Sequence, residues 1–209
     1  PKPSDEMFVR WVQWGVFSPI LRLHSTSFFG LENERTPFGR PHEYEVAAKN
    51  ALRLRERMRP YLETMAIRAH MTGLSLLLPA YYADPSDDAL YHEDMGYLFG
   101  SELFVAPVVA PTGADGVAER ANLRLPKGKW VHWESGEEYS GPTGVNRGWS
   151  LDEVPVFAKA GAVIPLAPLD YDEIKLPRAA ADRLEFHVYP GELGGFTVRH
   201  DTGAGVEAL

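Results

Sequence analysis

The sequence changes character at Gly73. Before it, "EYEVAAKNALRLRERMRPYLETMAIRAHM" from Glu43 to Met71 sets Tyr44, Ala47, Ala48, Ala51, Leu52 and Arg55 in one stripe at helical spacing. Pro60 lacks an amide hydrogen and should kink this helix or divide it in two, and Thr72 with Gly73 should end it. After Gly73 come short runs of β-branched and aromatic residues punctuated by Pro and Gly: "LSLLLPAYY", "ELFVAPVVAP", "ERANLRLPKGKWVHWESG", "VPVFAKAGAVIPL", "LEFHVYPG" and "GGFTVRHD". That pattern predicts an antiparallel β-sandwich over 73–209, preceded by an α/β portion over 1–72.

Within the α/β portion, Ser4 is placed to cap a helix whose first turn carries Asp5 and Glu6, both favourable at the positive end of the helix dipole. Phe8, Trp11, Val12 and Gly15 share one face of that helix at the expected spacing, with Arg10 and Trp11 read as packing and salt-bridge residues. The next run, "VFSPILRLH", predicts a short strand with Pro19 near its start. On a strand Ile20, Arg22 and His24 share a face while Leu21 and Leu23 share the other, so one face turns polar toward its C-terminal end. In an α/β protein that end is where ligands meet the sheet, which makes Arg22 and His24 candidate binding residues. Residues 25–42 are loop in composition, and Phe28 and Phe29 within them are candidates for shaping a subsite wall or the mouth of the α/β portion.

Bulk composition narrows the partners. The chain has 209 residues, of which 44% are hydrophobic and 11% aromatic, enough to bury a core. Its net charge of -8 disfavours nucleic acid or an anionic membrane surface and fits a neutral substrate. Zero cysteines exclude disulfides, thiolate catalysis and Cys-ligated zinc, and fit a cytoplasmic setting. Asp84, Asp87, Asp88, Glu93 and Asp94, with His92 among them, are spaced too irregularly for a metal site and read as a solvated loop. Trp130 and Trp133 read as core or interface anchors rather than a sugar-stacking platform. The opening "PKPSDEMFVRW" has no basic segment or apolar run of a targeting signal and reads as cut, so a fragment is expected.

The ordered motifs resemble family 31 of the glycoside hydrolases, the group of α-glucosidases and α-xylosidases. "RWVQWGVFSPILRLH" is similar to the family's segment from the seventh barrel helix through the eighth barrel strand, at Arg10, Trp11, Gln13, Gly15, Phe17, Pro19, Arg22 and His24. "RTPF" at Arg35 to Phe38 approximates its Arg-acid-Pro-Trp turn, with Thr36 and Phe38 departing from it, and "RERMRPYL" resembles its Arg-containing Pro-Tyr helix. "YLFGSELFVAPVV" carries the family's positions at Gly100, Leu103 and Val105 to Val108, with Ser101 where an acid is usual. "LPKGKWVHWESGEEYSG" and "VPVFAKAGAVIP" are similar to the segments that follow, and "VYPGELGGFTVRHDTG" is a looser version of its ending, with His200 and Thr202 replacing acids.

The resemblance implies the C-terminal end of a (β/α)₈ TIM barrel followed by a β-sandwich, in a retaining exo-α-glycosidase acting on terminal α-linked glucose. His24 would hydrogen-bond the hydroxyls of the sugar in the innermost subsite, as an imidazole that both donates and accepts can. Arg22 would brace the strand end or pair with an acid at the rim, with direct sugar contact as the alternative. Members of the family use two aspartates as nucleophile and acid/base, and both segments lie upstream of this one, so no residue here is assigned a catalytic role. The implied partners are a carbohydrate substrate and the remaining N-terminal part of the enzyme, in the same or another chain, with no cofactor and no metal. A homo-oligomer stays open. So do α-xylosidase, transglycosylase and lyase activities and, in another class, a non-catalytic carbohydrate-binding or scaffold module.

Overall fold

Ser4 caps the first helix as its position predicts: its side chain accepts a hydrogen bond from the Met7 amide at 3.1 Å, and α1 runs from Asp5 to Val16. The computed structural model describes residues 3–24, 35–120, 122–168 and 183–208. The long helical stretch is divided at Pro60 into α2 (His42–Arg57) and α3 (Arg59–Thr72), the proline sitting in the first turn of α3 where its missing N–H costs nothing. Gly73 closes α3 in the left-handed conformation at φ 74° and donates to the Ala69 carbonyl.

After Gly73 the chain is strands: β1 (Leu77–Pro79), β2 (Tyr97–Phe99), β3 (Leu103–Val105), β4 (Ala118–Glu119), β5 (Arg124–His132), β6 (Glu138–Gly144), β7 (Gly148–Trp149), β8 (Val156–Lys159), β9 (Val163–Leu166), β10 (Glu185–Val188), β11 (Arg199–Asp201) and β12 (Val206–Ala208). The main sheet has six strands in the order β1-β2-β3-β8-β5-β6, all neighbours antiparallel. Three smaller antiparallel pairs, β9–β10, β11–β12 and β4–β7, surround it.

Register explains how this sheet buries both faces. Tyr97 pairs with Val105 and Val105 with Val156; one step along, Leu98 pairs with Phe104 and Phe104 with Phe157. Because strand side chains alternate, the first set enters one core and the second set the other. On one side Phe99, Leu103, Val105 and Ala158 pack with Phe8, Val12 and Val16 of α1, Ala48 of α2 and Tyr61 and Met65 of α3. On the other, Phe104, Trp130 and Phe157 are closed over by Ala118 of β4, Trp149 of β7 and Leu90. The first core therefore draws residues from both sides of Gly73.

Two contacts fix the helices to this sheet. The fully buried Tyr61 hydroxyl donates to the Phe99 carbonyl at 2.7 Å, and burial pushes the phenol's pKa up, keeping it a neutral donor. The turn after β2 presses so close to Tyr61 that a Cβ on Gly100, itself at φ 68°, would lie 2.2 Å from that hydroxyl. On α1, Gln13 donates to the Leu151 carbonyl at 2.6 Å, while Arg10 donates to the carbonyls of Ser150 at 3.0 Å and Glu153 at 3.2 Å. Arg10 also faces Glu6 across 3.8 Å; burial lowers its pKa, and Glu6, Asp152 and Glu153 oppose that shift.

Three expectations are corrected. The predicted strand over "VFSPILRLH" does not form: Val16 ends α1, and residues 20–24 have no regular structure. A strand is held by its neighbours' backbone groups, and among the described residues no strand lies beside this run. Trp11 is not on the core face of α1 but 61% exposed, because the buried stripe is Phe8, Val9, Val12, Gly15 and Val16. Trp11 belongs instead to a second apolar stripe with Met7 and Trp14, the two indoles meeting edge to face at 5.2 Å.

The acidic run is not uniformly solvated either. The Glu93 side chain is 1% exposed, forms an ion pair with the buried Arg120, and accepts from the amides of Gly96 at 2.8 Å and Arg124 at 2.9 Å. Asp87 pairs with Arg124 at 3.0 Å. An apolar residue at position 93 would withdraw the shared acceptor from all these donors at once. Trp130 and Trp133 do anchor cores, but different ones: Trp130 lies in the core under β4 and β7, and Trp133, just beyond β5, packs on the helix side.

Two stability experiments follow from these contacts. Glu93→Ala removes the buried carboxylate shared by the Arg120 guanidinium and the Gly96 and Arg124 amides and should cost about 3–5 kcal/mol in urea unfolding. His132 is 1% exposed, packs against the rings of both Trp149 and Phe157, and is hydrogen-bonded through Nδ1 to Ser135 Oγ at 2.8 Å. Burial, then the nearby Arg147, lowers its pKa, so the folded chain keeps it neutral while the unfolded chain takes up a proton as pH falls through about 6.5. Stability from this residue is thus full above that pH and lost below it. The stability difference between the parent protein and His132→Phe should shift against the parent when unfolding is repeated at pH 5.5 instead of 7.5.

Candidate functional site

The residues that end α1 are held by side chains from two other elements. Arg55, the cation in the otherwise apolar stripe of α2, spreads its guanidinium over three carbonyls: Val16 at 2.7 Å, Ser18 at 2.5 Å and Pro19 at 3.0 Å. A planar fork with several donors suits this task, and partial burial, opposed by Glu56, lowers its pKa. From β2, the Tyr97 hydroxyl donates to the Phe17 carbonyl at 2.8 Å, and the Ser18 hydroxyl turns back to Trp14 O at 3.0 Å. Phe17 itself is 1% exposed and meets Phe99 edge to face at 6.1 Å.

Past Pro19 the chain emerges. Leu21 leans back over Gly15, where an added Cβ would sit 2.8 Å from its Cδ1. Ile20, Arg22, Leu23 and His24 are exposed. The structure therefore brings Arg22 and His24 to the surface together, on a segment whose root is fixed by Arg55 and Tyr97. Phe28 and Phe29 lie outside the described residues. The turn that re-enters the fold is fixed in turn by Arg40, which donates to the Thr36 carbonyl at 2.9 Å, pairs with Asp5 at 2.5 Å and lies over the Phe8 ring at 3.8 Å.

Sequence reasoning missed both anchors of this segment. Arg55 had a signal, a guanidinium at a core-facing helical position, where it must find several acceptors. Tyr97 had none, since its partner is a carbonyl far away in the chain.

A separate cleft of about 720 Å³ opens where Lys129 and Trp130 of β5, Glu138 of β6 and Lys159 of β8 meet Gly191 and Glu192; neither Arg22 nor His24 lines it. Among the described residues no group of three or more His, Asp or Glu is arranged to hold a metal, and no helix is long and apolar enough to cross a membrane.

Residues 1–65 match the model of the glycosyl hydrolases family 31 TIM-barrel domain, and residues 73–164 that of the glycosyl hydrolase family 31 C-terminal domain. An α-xylosidase of Saccharolobus solfataricus is 30% identical over 202 residues, covering 97% of this chain and 26% of that protein. Alpha-glucosidase 2 of Bacillus thermoamyloliquefaciens is 31% identical over 163 residues, or 78% of this chain and 20% of the relative. A family 31 dextranase of Flavobacterium johnsoniae, solved with isomaltotriose, superposes with a TM-score of 0.79 at 32% identity over 95% of this chain and 24% of its own. The chain thus spans about a quarter of the length of these proteins.

Arg55→Ala removes all three carbonyl contacts and should destabilise the protein by about 2–3 kcal/mol, with faster amide exchange confined to residues 17–23. Arg55→Lys should recover less than half of this, because an ammonium cannot reproduce the fork.

Proposed function

The chain belongs to glycoside hydrolase family 31, and from that premise we propose that it is the C-terminal part of a retaining exo-α-glycosidase that releases terminal α-linked glucose from oligosaccharides or α-glucosides. Residues 1–72 are its share of the catalytic TIM barrel, and residues 73–209 the β-sandwich behind it. The nucleophile and acid/base carboxyls come from the preceding part of the enzyme. His24 reads the hydroxyls of the sugar in the innermost subsite, Arg22 braces the rim beside it, and Phe28 contributes to the subsite wall.

The observation that carries this reading is the anchored segment itself. Arg55 and Tyr97 fix residues 16–19 on the core, and the chain then delivers Arg22 and His24 to an exposed end. Two further features support it. Helix α1 is apolar on two sides, and its outward stripe of Met7, Trp11 and Trp14 is exposed, a face suited to packing against a neighbouring barrel element. Residues 20–24 are irregular and Ile20 is 84% exposed, as expected of a strand-like run that lacks an adjacent strand to supply ladder partners.

Chemically, the chain's contribution is positioning. A retaining mechanism places two carboxyls about 5 to 5.5 Å apart around an oxocarbenium-like transition state. An imidazole bound to the sugar hydroxyls holds the anomeric carbon between them and strengthens its bonds as positive charge develops in the ring. A glucosyltransferase of Sporosarcina globispora, 28% identical over 207 residues, keeps transglycosylation as the second reading: the same site then hands the glucosyl group to a sugar hydroxyl instead of water.

His24→Ala in the complete enzyme should lower kcat/KM for 4-nitrophenyl α-glucoside by about 10²–10³-fold, with little change in melting temperature because the residue is exposed. Unchanged efficiency removes His24 from the site, and equal rates on the α-xyloside would move the assignment toward the xylosidases.

A further inference from the structure

Between β1 and β2 the chain makes two short 3-10 turns, Ala80–Tyr82 and Asp88–His92, that raise three tyrosines together. The Tyr81 ring lies between its neighbours: parallel to Tyr91 at 4.6 Å with 1° between the planes, and tilted 33° from Tyr82 at 5.2 Å. Tyr82 is 53% and Tyr91 51% exposed, so the outer rings face solvent.

This surface has a rigid base. Ala80 and Leu90 are plugged into the core under β4 and β7, each 1% exposed. Asp87 caps the second turn through the Ala89 amide at 3.1 Å and pairs with Arg124 at 3.0 Å, while Asp84 accepts from both the amide and the hydroxyl of Ser86. The Tyr91 hydroxyl donates to the Pro85 carbonyl at 3.3 Å, which holds its ring in place. Packing in the core explains Leu90 and Ala80, but it does not explain two half-exposed rings held in a fixed stack.

We propose that this tyrosine shelf is a surface binding site for α-linked glucan chains, separate from the exposed segment that carries His24. Aromatic faces are matched by the C–H faces of pyranose rings, and the stack offers such faces already ordered, so binding does not cost side-chain freedom. Exposed Asp88, in the same turn as Tyr91, is an acceptor for sugar hydroxyls, and together with the net charge of -8 it disfavours an anionic membrane as the occupant. The inference of a glucan rather than another polyol rests on the family reading above. By holding a polymer near the enzyme, the shelf raises the local concentration of chain ends without touching the reacting bond.

Affinity electrophoresis in gels containing soluble dextran tests the proposal. The parent protein should be retarded relative to a dextran-free gel, and Tyr82→Ala/Tyr91→Ala should lose this, with an apparent Kd at least about tenfold weaker. Tyr91→Trp keeps an aromatic face there and should stay retarded, with indole emission that changes on titration with dextran. Equal retardation of the double variant, no retardation of the parent, or an indole that ignores dextran overturns the site; so does loss of self-association, rather than of retardation, in the double variant. Hydrolysis of 4-nitrophenyl α-glucoside by the complete enzyme should be unchanged in both variants. Failure of that hydrolysis in the parent would sink the glycosidase reading, while retardation would still decide the shelf.

Discussion

The burial of one sheet face under three helices holds this structure together. Phe99, Leu103, Val105 and Ala158 present a flat apolar surface whose cover comes from α1, α2 and α3. Neither side is viable alone: short strands with one naked face do not persist in water, and α2, with its three small buried alanines, has little to bury except against a close partner. At about 1.5–3 kcal/mol for each large apolar side chain fully buried, this contact outweighs every polar interaction described above.

The polar interactions do a different job, which is to set position. Arg10 and Gln13 tie α1 to the carbonyls between β7 and β8, Tyr61 ties α3 to the end of β2, and Arg55 with Tyr97 ties the exit of α1 to both. Each places a side-chain donor on a backbone carbonyl of another element, so loss of the donor costs a buried or part-buried acceptor one of its hydrogen bonds. The chain that leaves this network at Pro19 therefore starts from a defined point. A rigid root beneath the exposed segment proposed to contact sugar is the arrangement expected where a scaffold must position ligand contacts within a fraction of an ångström.

Charge is distributed by the same logic. The net charge is negative, yet the acidic residues around 84–94 are largely consumed internally: Glu93 by Arg120 and two amides, Asp87 by Arg124 and a cap, Asp84 by Ser86. What remains exposed around the tyrosine shelf is sparse and hydrogen-bonding, a surface suited to a neutral polyhydroxylated ligand. The two roles proposed here, a rim contact and a remote shelf, both ask for rigidity more than for reactive chemistry.

Local features were legible in the sequence because their causes are local. Ser4 as a cap, Pro60 as a divider, Gly73 as a terminator and the alternating runs of β2, β3 and β8 depend on residues a few positions apart, and each is found where its chemistry puts it. The motif order likewise carried the family, since it is a property of the chain itself. What tertiary structure alone decided is which face each element turns inward: Trp11 faces out although its spacing fits the core stripe, Glu93 is buried although its neighbours are charged, and Trp130 and Trp133 enter different cores. The run at His24 has strand composition without a strand, because a ladder is a property of two segments, and its second segment is not among those described.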